Sequence, residues 1–312
     1  MDTLITTAFL TAFISGIVMA GIPLLLAGLG EQISEKAGIL NLGLEGMMLA
    51  GAYGGFAGAF YTQSIWLGFL IGAICGVVVA IVMAVLCVYA GLNQIVVGIA
   101  LLFGFQGLTA LMFYAEFRTT YPRLEKANTL DIPGLSDLPV IGPSVFDQQP
   151  LVYIALLLVA FFTWLYTRTN IGNNLQAAGD RPAALDAAGV NVYSTRTWAV
   201  VSTGALAGLG GAFMSEVSAG TFVPFMTKGA GFIAIVLAML ARGRPGWVLI
   251  GALLFGIAQS LSTAFQVAGV PVPTDAAEML PFAVVIVMLI IFARRAYLPA
   301  ALGRAYKRGG VV

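Results

Sequence analysis

The chain has 312 residues, 60% of them hydrophobic and only 9% charged, with a mean hydropathy of +0.96 and a formal net charge of +1. Such a composition describes a polytopic α-helical membrane protein, and its near-neutral charge leaves no footprint for nucleic acid. Histidine is absent, which removes Ser-His relays, His-ligated zinc and H-E-x-x-H metalloproteases, and none of the four lysines (Lys36, Lys126, Lys228, Lys307) follows a glycine, which removes the P-loop.

Charge-free gaps place the spans in chain order. Leu4 to Leu29 is the first, and its head lacks the basic n-region and polar continuation of a cleaved signal peptide, so it reads as a retained helix. Between Glu45 and Glu116 lie 70 residues without Asp, Glu, Lys or Arg. At ~20 residues per crossing that stretch holds about three spans: a second beginning near Gly38 and ending at Tyr61, a third from Ile65 to Tyr89, and a fourth from Gln94 to Ala115. Pro150 to Thr167, Thr197 to Ala219, a short Gly229 to Ala241, Trp247 to Gln266 and Met279 to Ala293 complete about nine, within roughly eight to ten. A barrel would alternate apolar and polar residues, which Ile74 to Val88 does not. The expected fold class is therefore all-α, with broken or re-entrant segments where a span is short. Cys75 and Cys87, twelve positions apart in one span, read as apolar fillers, and neither a metal site nor a catalytic residue is expected.

Basic residues set the orientation. Arg294, Arg295, Arg304, Lys307 and Arg308 crowd the 294–312 tail, which places the C-terminus on the cytoplasmic side. Counting back puts Lys36, Arg242, Arg244 and the 168–196 loop on that side too, so that of 15 basic residues only Arg118, Arg123, Lys126 and Lys228 face outward. An odd number of spans leaves the N-terminus outside, and a re-entrant seventh segment would reverse it. The 116–149 segment then faces outward, rich in acids and broken by Pro122, Pro133, Pro139 and Pro143. It either receives an external partner or serves as a spacer. Glycine pairs four apart (Gly51 and Gly55, Gly54 and Gly58, Gly72 and Gly76, Gly204 and Gly208) expose bare backbone for close helix packing.

Two further segments stand out. In Asn170 to Val192, Asp180 suits an N-cap, Pro182 a first turn, Ala183 to Ala188 a helix and Gly189 its end. A short amphipathic helix projecting from a membrane domain is a docking knob; the other reading, an interfacial helix on lipid, lacks the usual lysines and aromatics. In Gly38 to Met48, Asn41 and Glu45 are four apart and would share one helix face. Glu45 at depth costs ~2.5–3.5 kcal/mol unless paired or hydrated; at the interface it would instead cap a helix start in water.

E-K-A-G-I-L-N-L-G-L-E-G-M-M-L-A-G-A (Glu35 to Ala52), A-A-G-D-R-P-A-A-L-D-A-A-G-V-N-V (Ala177 to Val192) and G-A-L-A-G-L-G-G-A-F (Gly204 to Phe213) resemble permease subunits of bacterial ABC importers. They are most similar to the ribose and branched-chain amino acid permease superfamily, in its nucleoside and simple-sugar branch. The resemblance implies one transmembrane permease domain over 1–312, a non-enzymatic half-pore in the bacterial inner membrane. It would pair with a homologous or identical permease, a cytoplasmic ATPase subunit that binds ATP and Mg, and an extracytoplasmic solute-binding protein, and would bind no cofactor itself. It also implies that Ala178, Gly179, Asp180, Arg181, Pro182, Ala183, Ala184, Leu185 and Asp186 form the coupling helix seated on the ATPase, with Arg181 and Pro182 matching less closely. Small polar solutes such as nucleosides need a few amide or carboxylate partners and an aromatic face. The candidates along the path are Asn41, Glu45, Gln94, Gln106, Glu216 and Phe222, of which one or two are expected to touch substrate. Two other classes remain open: a proton-coupled secondary transporter relaying through Glu45 and Glu216, and a membrane scaffold.

Overall fold

Glycine-lined faces let the central helices of this bundle touch backbone to backbone. The structure is a computed structural model and describes residues 7–118, 120–125, 127–267, 273–292 and 298–308. Its centre is built from α1 (Thr7–Lys36), α2 (Leu44–Thr62), α3 (Ile65–Ala84) and α8 (Val192–Phe213), with α10 (Pro245–Val267) antiparallel against α1. A Cβ on Gly51 would lie 2.3 Å from the Gly208 carbonyl oxygen, and one on Gly76 only 2.1 Å from that of Gly204. A methyl group at either position would push two helices apart, which explains the four-residue glycine spacing on α2, α3 and α8. The buried core runs from Ile22 to Leu29 on α1 across Met47, Met48, Val79, Ala80 and Ala207 to Val248 and Ala252 on α10.

The remaining elements surround this block. They are α4 (Gln94–Phe117), a two-residue antiparallel ribbon of β1 (Leu130–Asp131) and β2 (Asp147–Gln148), α5 (Pro150–Arg168), α6 (Asn170–Asp180), α7 (Pro182–Ala187), α9 (Ala230–Leu240), α11 (Thr274–Glu278) and α12 (Leu280–Phe292). Single π-helical turns extend α3 through Val85–Tyr89 and α8 through Met214–Ser218. Seven helices among the described residues are long and apolar enough to cross a membrane. The glycine-rich α2, 19 residues long and packed in the centre, and the short α9 bring the architecture to about nine, the expected all-α membrane fold. With 11 residues, α9 is only about 16 Å long, half the hydrocarbon thickness.

Several boundaries differ from the sequence reading. The first helix continues past Leu29 to Lys36, because its polar last turns are buried against other elements: Ser34 bonds the Thr203 hydroxyl at 2.7 Å, and Thr203 donates to the Gly30 carbonyl at 2.6 Å. The second begins at Leu44, not near Gly38, where the chain turns with φ of 86°. The sixth begins at Val192, capped by the Asn191 side chain accepting from Ser194 N–H at 3.1 Å. Asp180 is not an N-cap but the last residue of α6, a helix that lies ahead of the expected Ala183 to Ala188. Thr169 caps α6 by accepting from Gly172 N–H at 3.3 Å, and Leu175 and Ala178 supply its buried face. The start of the first span at Leu4, Lys126, Ala293, Arg294, Arg295 and the tail beyond 308 lie outside the described residues.

Candidate functional site

A polar centre forms where a helix starts halfway through the bundle. After the π turn of α8 the chain continues irregularly through 219–229, and α9 then runs to the basic end, where Arg242, Gly243 and Lys36 gather. The N-terminus of α9 therefore lies about 16 Å inside that end, near mid-membrane. A helix start leaves backbone N–H groups without partners, which in hydrocarbon is costly. Glu45 from the first turn of α2 supplies the missing acceptor: one carboxylate oxygen takes the Thr227 hydroxyl at 2.5 Å and Gly229 N–H at 2.8 Å, and the other takes Gly231 N–H at 2.6 Å. A negative group also complements the positive end of the helix dipole. The approach is close enough that a Cβ on Gly231 would lie 2.6 Å from the Glu45 backbone.

Asn41 does not share a helix face with Glu45, because residues 37–43 form a connector and the helix starts only at Leu44. The connector is nonetheless buried and polar. Asn41 donates its N–H to Glu31 Oε1 at 3.2 Å and its side-chain amide to Met47 Sδ at 3.4 Å, while Gln94 Oε1 accepts from Leu40 N–H at 2.8 Å. The structure thus brings Asn41, Glu45 and Gln94 to one region. Glu31 Oε2, Asn41 Oδ1 and Gln94 Nε2 are buried there with no hydrogen-bond partner among the described residues.

Glu216 and Phe222 lie elsewhere, toward the opposite end. The Glu216 carboxylate fills the space that side chains on Gly55 and Gly68 would occupy, 2.6 and 2.7 Å from their would-be Cβ positions, and neither of its oxygens has a hydrogen-bond partner among the described residues. Phe222 sits in an aromatic cluster, with ring centroids 5.3 Å from Tyr53, 6.3 Å from Phe56 and 5.4 Å from Phe113. Gln106 is half-buried on α4, about two turns before Phe113 of that cluster.

The projecting knob is a pair of short helices. α7 follows α6 after Arg181, starts on Pro182 and ends before Gly189, whose φ of 86° closes it. Of the coupling candidates, Ala178, Gly179, Pro182 and Leu185 face inward. Arg181, Ala183 and Ala184 face out, and Asp180 and Asp186 are partly buried. Gly179 lies so close to the end of α1 that a Cβ would sit 2.2 Å from the Lys36 carbonyl oxygen. The outward side is a shallow groove between α6 and α7, lined by Gln176, Ala177, Arg181 and Ala184.

The C-terminal segment ties this knob to the bundle. Ala301 N–H bonds Gly179 O at 2.8 Å and Gly303 N–H bonds Gly38 O at 3.1 Å. The buried Arg196 guanidinium forks onto Arg304 O at 2.8 Å and Ala178 O at 3.1 Å. Tyr193 donates to Tyr306 O at 3.1 Å, and Arg308 pairs with Asp186 at 2.9 Å. Desolvation first, and then the neighbouring Asp186 carboxylate, holds the Tyr306 phenol above its ordinary pKa. Sequence reading missed the roles of Glu31, Ser34 and Arg196. The signal for the first two was E-Q-I-S-E-K directly after an apolar run with no breaker before Gly38; Arg196 carries no local signal, because its partners are over a hundred residues away or in another helix.

Residues 13–289 match the family described as branched-chain amino acid transport system / permease component. The chain is 30% identical to the nucleoside ABC transporter permease NupC of Lactococcus lactis, covering 95% of this chain and 97% of that protein. It is 31% identical to the guanosine ABC transporter permease NupQ of Bacillus subtilis over 92% of this chain and 93% of that one. A Haloferax volcanii protein provisionally named a glucose ABC transporter permease is 40% identical over 83% of this chain and 79% of its own length. This chain belongs to the branched-chain amino acid transport system / permease component family.

Proposed function

We propose that this chain is the permease subunit of an ATP-binding cassette importer, passing a nucleoside or related simple-sugar compound across a bacterial inner membrane by alternating access. The observation that carries the reading is the α6–α7 knob. It stands outside the spans, presents an open groove, packs against the end of α1 at Gly179, and is hydrogen-bonded to the first turns of α8 through Arg196. A force applied to that groove by a closing ATPase is delivered to the central block rather than absorbed in a loop. ATP and Mg are bound by that partner subunit. A second permease, homologous or identical, completes the pore, and a binding protein delivers the solute at the 116–149 segment on the outer side.

The names of the nucleoside and guanosine permeases it resembles support the solute class. Within the chain, Glu45 organises the mid-membrane break, while Asn41 and Gln94 on one side and Glu216 with the Phe222 cluster on the other supply the amides, carboxylates and aromatic faces that a sugar and a base require. The test is radiolabelled uridine or adenosine uptake in vesicles co-expressing this chain with its neighbouring genes, with and without ATP. ATP-dependent uptake that vanishes when this chain is omitted is expected. Uptake driven by a proton gradient alone overturns the reading.

A further inference from the structure

We infer that the groove between α9, α10 and α12 at the basic end is a binding site for an anionic phospholipid. The groove has a volume of about 580 Å³; Leu237 and Leu240 of α9, Ile250 and Leu254 of α10, and Met288 and Ile291 of α12 form its walls. Gly251 opens its floor, with Leu237 and Met288 the nearest side chains to the missing Cβ. Ile250 and Ile291 are exposed at 45% and 61%, which in a membrane means exposed to acyl chains.

One end of this apolar groove is cationic. Arg242 and Arg244 line its mouth together with Trp247. Two successive left-handed residues, Arg242 at φ of 51° and Gly243 at φ of 69°, fold the turn so that the end of α9 and the start of α10 present both guanidinium groups at one place. No carboxylate lies within ion-pair distance of either arginine among the described residues. From Arg244 to Leu254 the groove is about 15 Å deep along α10, the hydrocarbon depth of one leaflet. Two arginines without a carboxylate partner among the described residues, an indole at headgroup level and an apolar slot one leaflet deep match a lipid of net negative charge, and a basic pocket between transmembrane helices is a known kind of site for such headgroups. The start of α10 adds the positive end of a helix dipole to the same mouth.

The test uses the purified full chain in nanodiscs of phosphatidylcholine with or without phosphatidylglycerol, reading retained lipid by native mass spectrometry. Selective retention of phosphatidylglycerol is expected. At ~1 kcal/mol per basic residue near the surface, the double variant R242Q/R244Q weakens that retention roughly 30-fold. The second variant, Ile250→Trp, keeps both charges but fills the slot, and reduces retention as well; it decides the matter should the double variant fail to fold. Equal retention of the two lipids by the unmodified chain, or unchanged selectivity in Ile250→Trp, overturns the assignment. So does disulfide formation between copies carrying Ile250→Cys in native membranes, which would place a second permease in the groove.

Discussion

Replacing Glu45 with Gln removes one charge and keeps the shape, and the structure states what that costs. The carboxylate accepts three hydrogen bonds, from Thr227 and from the N–H groups of Gly229 and Gly231. A Gln amide offers one oxygen, so at least one buried N–H meets an NH2 group and is left without an acceptor, at about 1–3 kcal/mol. Loss of the negative charge at the start of α9 removes a further ~1–2 kcal/mol of dipole stabilisation in a buried setting. Together the substitution destabilises the fold by roughly 2–5 kcal/mol, and Glu45→Ala, which strands all three donors, costs more. The assay is heating of detergent-solubilised chain followed by gel filtration, with accessibility of a cysteine introduced at Met226, beside Thr227, as a local probe. Expected is a lowered melting temperature in the order unmodified, Gln, Ala, with the probe more reactive in both variants. Unchanged stability in Glu45→Gln with altered solute affinity refutes the reasoning and returns Glu45 to direct substrate contact.

Four other substitutions separate structural from transport roles. Ala184→Trp, on the exposed side of the α6–α7 groove, abolishes ATP-dependent uptake at normal membrane insertion, and Asp180→Lys does the same; normal uptake in both sinks the docking role. Arg196→Lys loses the fork that joins Arg304 O to Ala178 O, about 1.5–3 kcal/mol for one charge-assisted bond, so trypsin cuts the tail at Arg304 and Lys307 faster; an unchanged digestion rate contradicts this. Glu216→Gln keeps or raises thermal stability, since neither carboxylate oxygen is bonded in the fold. Loss of uptake at unchanged stability places the residue on the substrate path, and a drop in stability shows a structural role instead.

The spans were legible because their signal is local: a run of apolar residues long enough for a bilayer needs no knowledge of its neighbours. Boundaries failed where polar residues are buried by tertiary contact. Glu31 to Lys36 reads as a loop by hydropathy and is helix by packing, since Ser34 and Glu31 find partners in α8 and in the 37–43 connector. The same holds for Asn41 and Glu45, whose four-residue spacing suggested a shared face until the connector broke the helical register. Glu45 stands out in the sequence because a carboxylate at depth needs partners, and in the structure it is buried. Its partners at and just before the start of α9 are over 180 positions away, and no window of sequence could name them. In the knob, Pro182 and Gly189 marked α7 well, but α6 was hidden because its few apolar residues, Leu175 and Ala178 among them, are too sparse for a propensity signal.

The way the elements are joined divides the bundle mechanically. α1, α2, α3 and α8 meet through glycine backbone contacts with no room for a methyl group, so any sliding among them would open voids or create clashes, and packed interiors resist both. α9 is held differently: its start depends on three hydrogen bonds to one side chain, and the turn that follows it has two left-handed residues. Hydrogen bonds of this kind can be exchanged for others, including bonds to a solute, at small net cost. The knob is attached to the rigid part, through Gly179 against the end of α1 and Arg196 on α8, and among the described residues no hydrogen bond joins it to α9. A push on the knob is therefore expected to turn the four-helix block as one body, and the relative motion it produces falls at the seam between α2 and α9, where Glu45 sits.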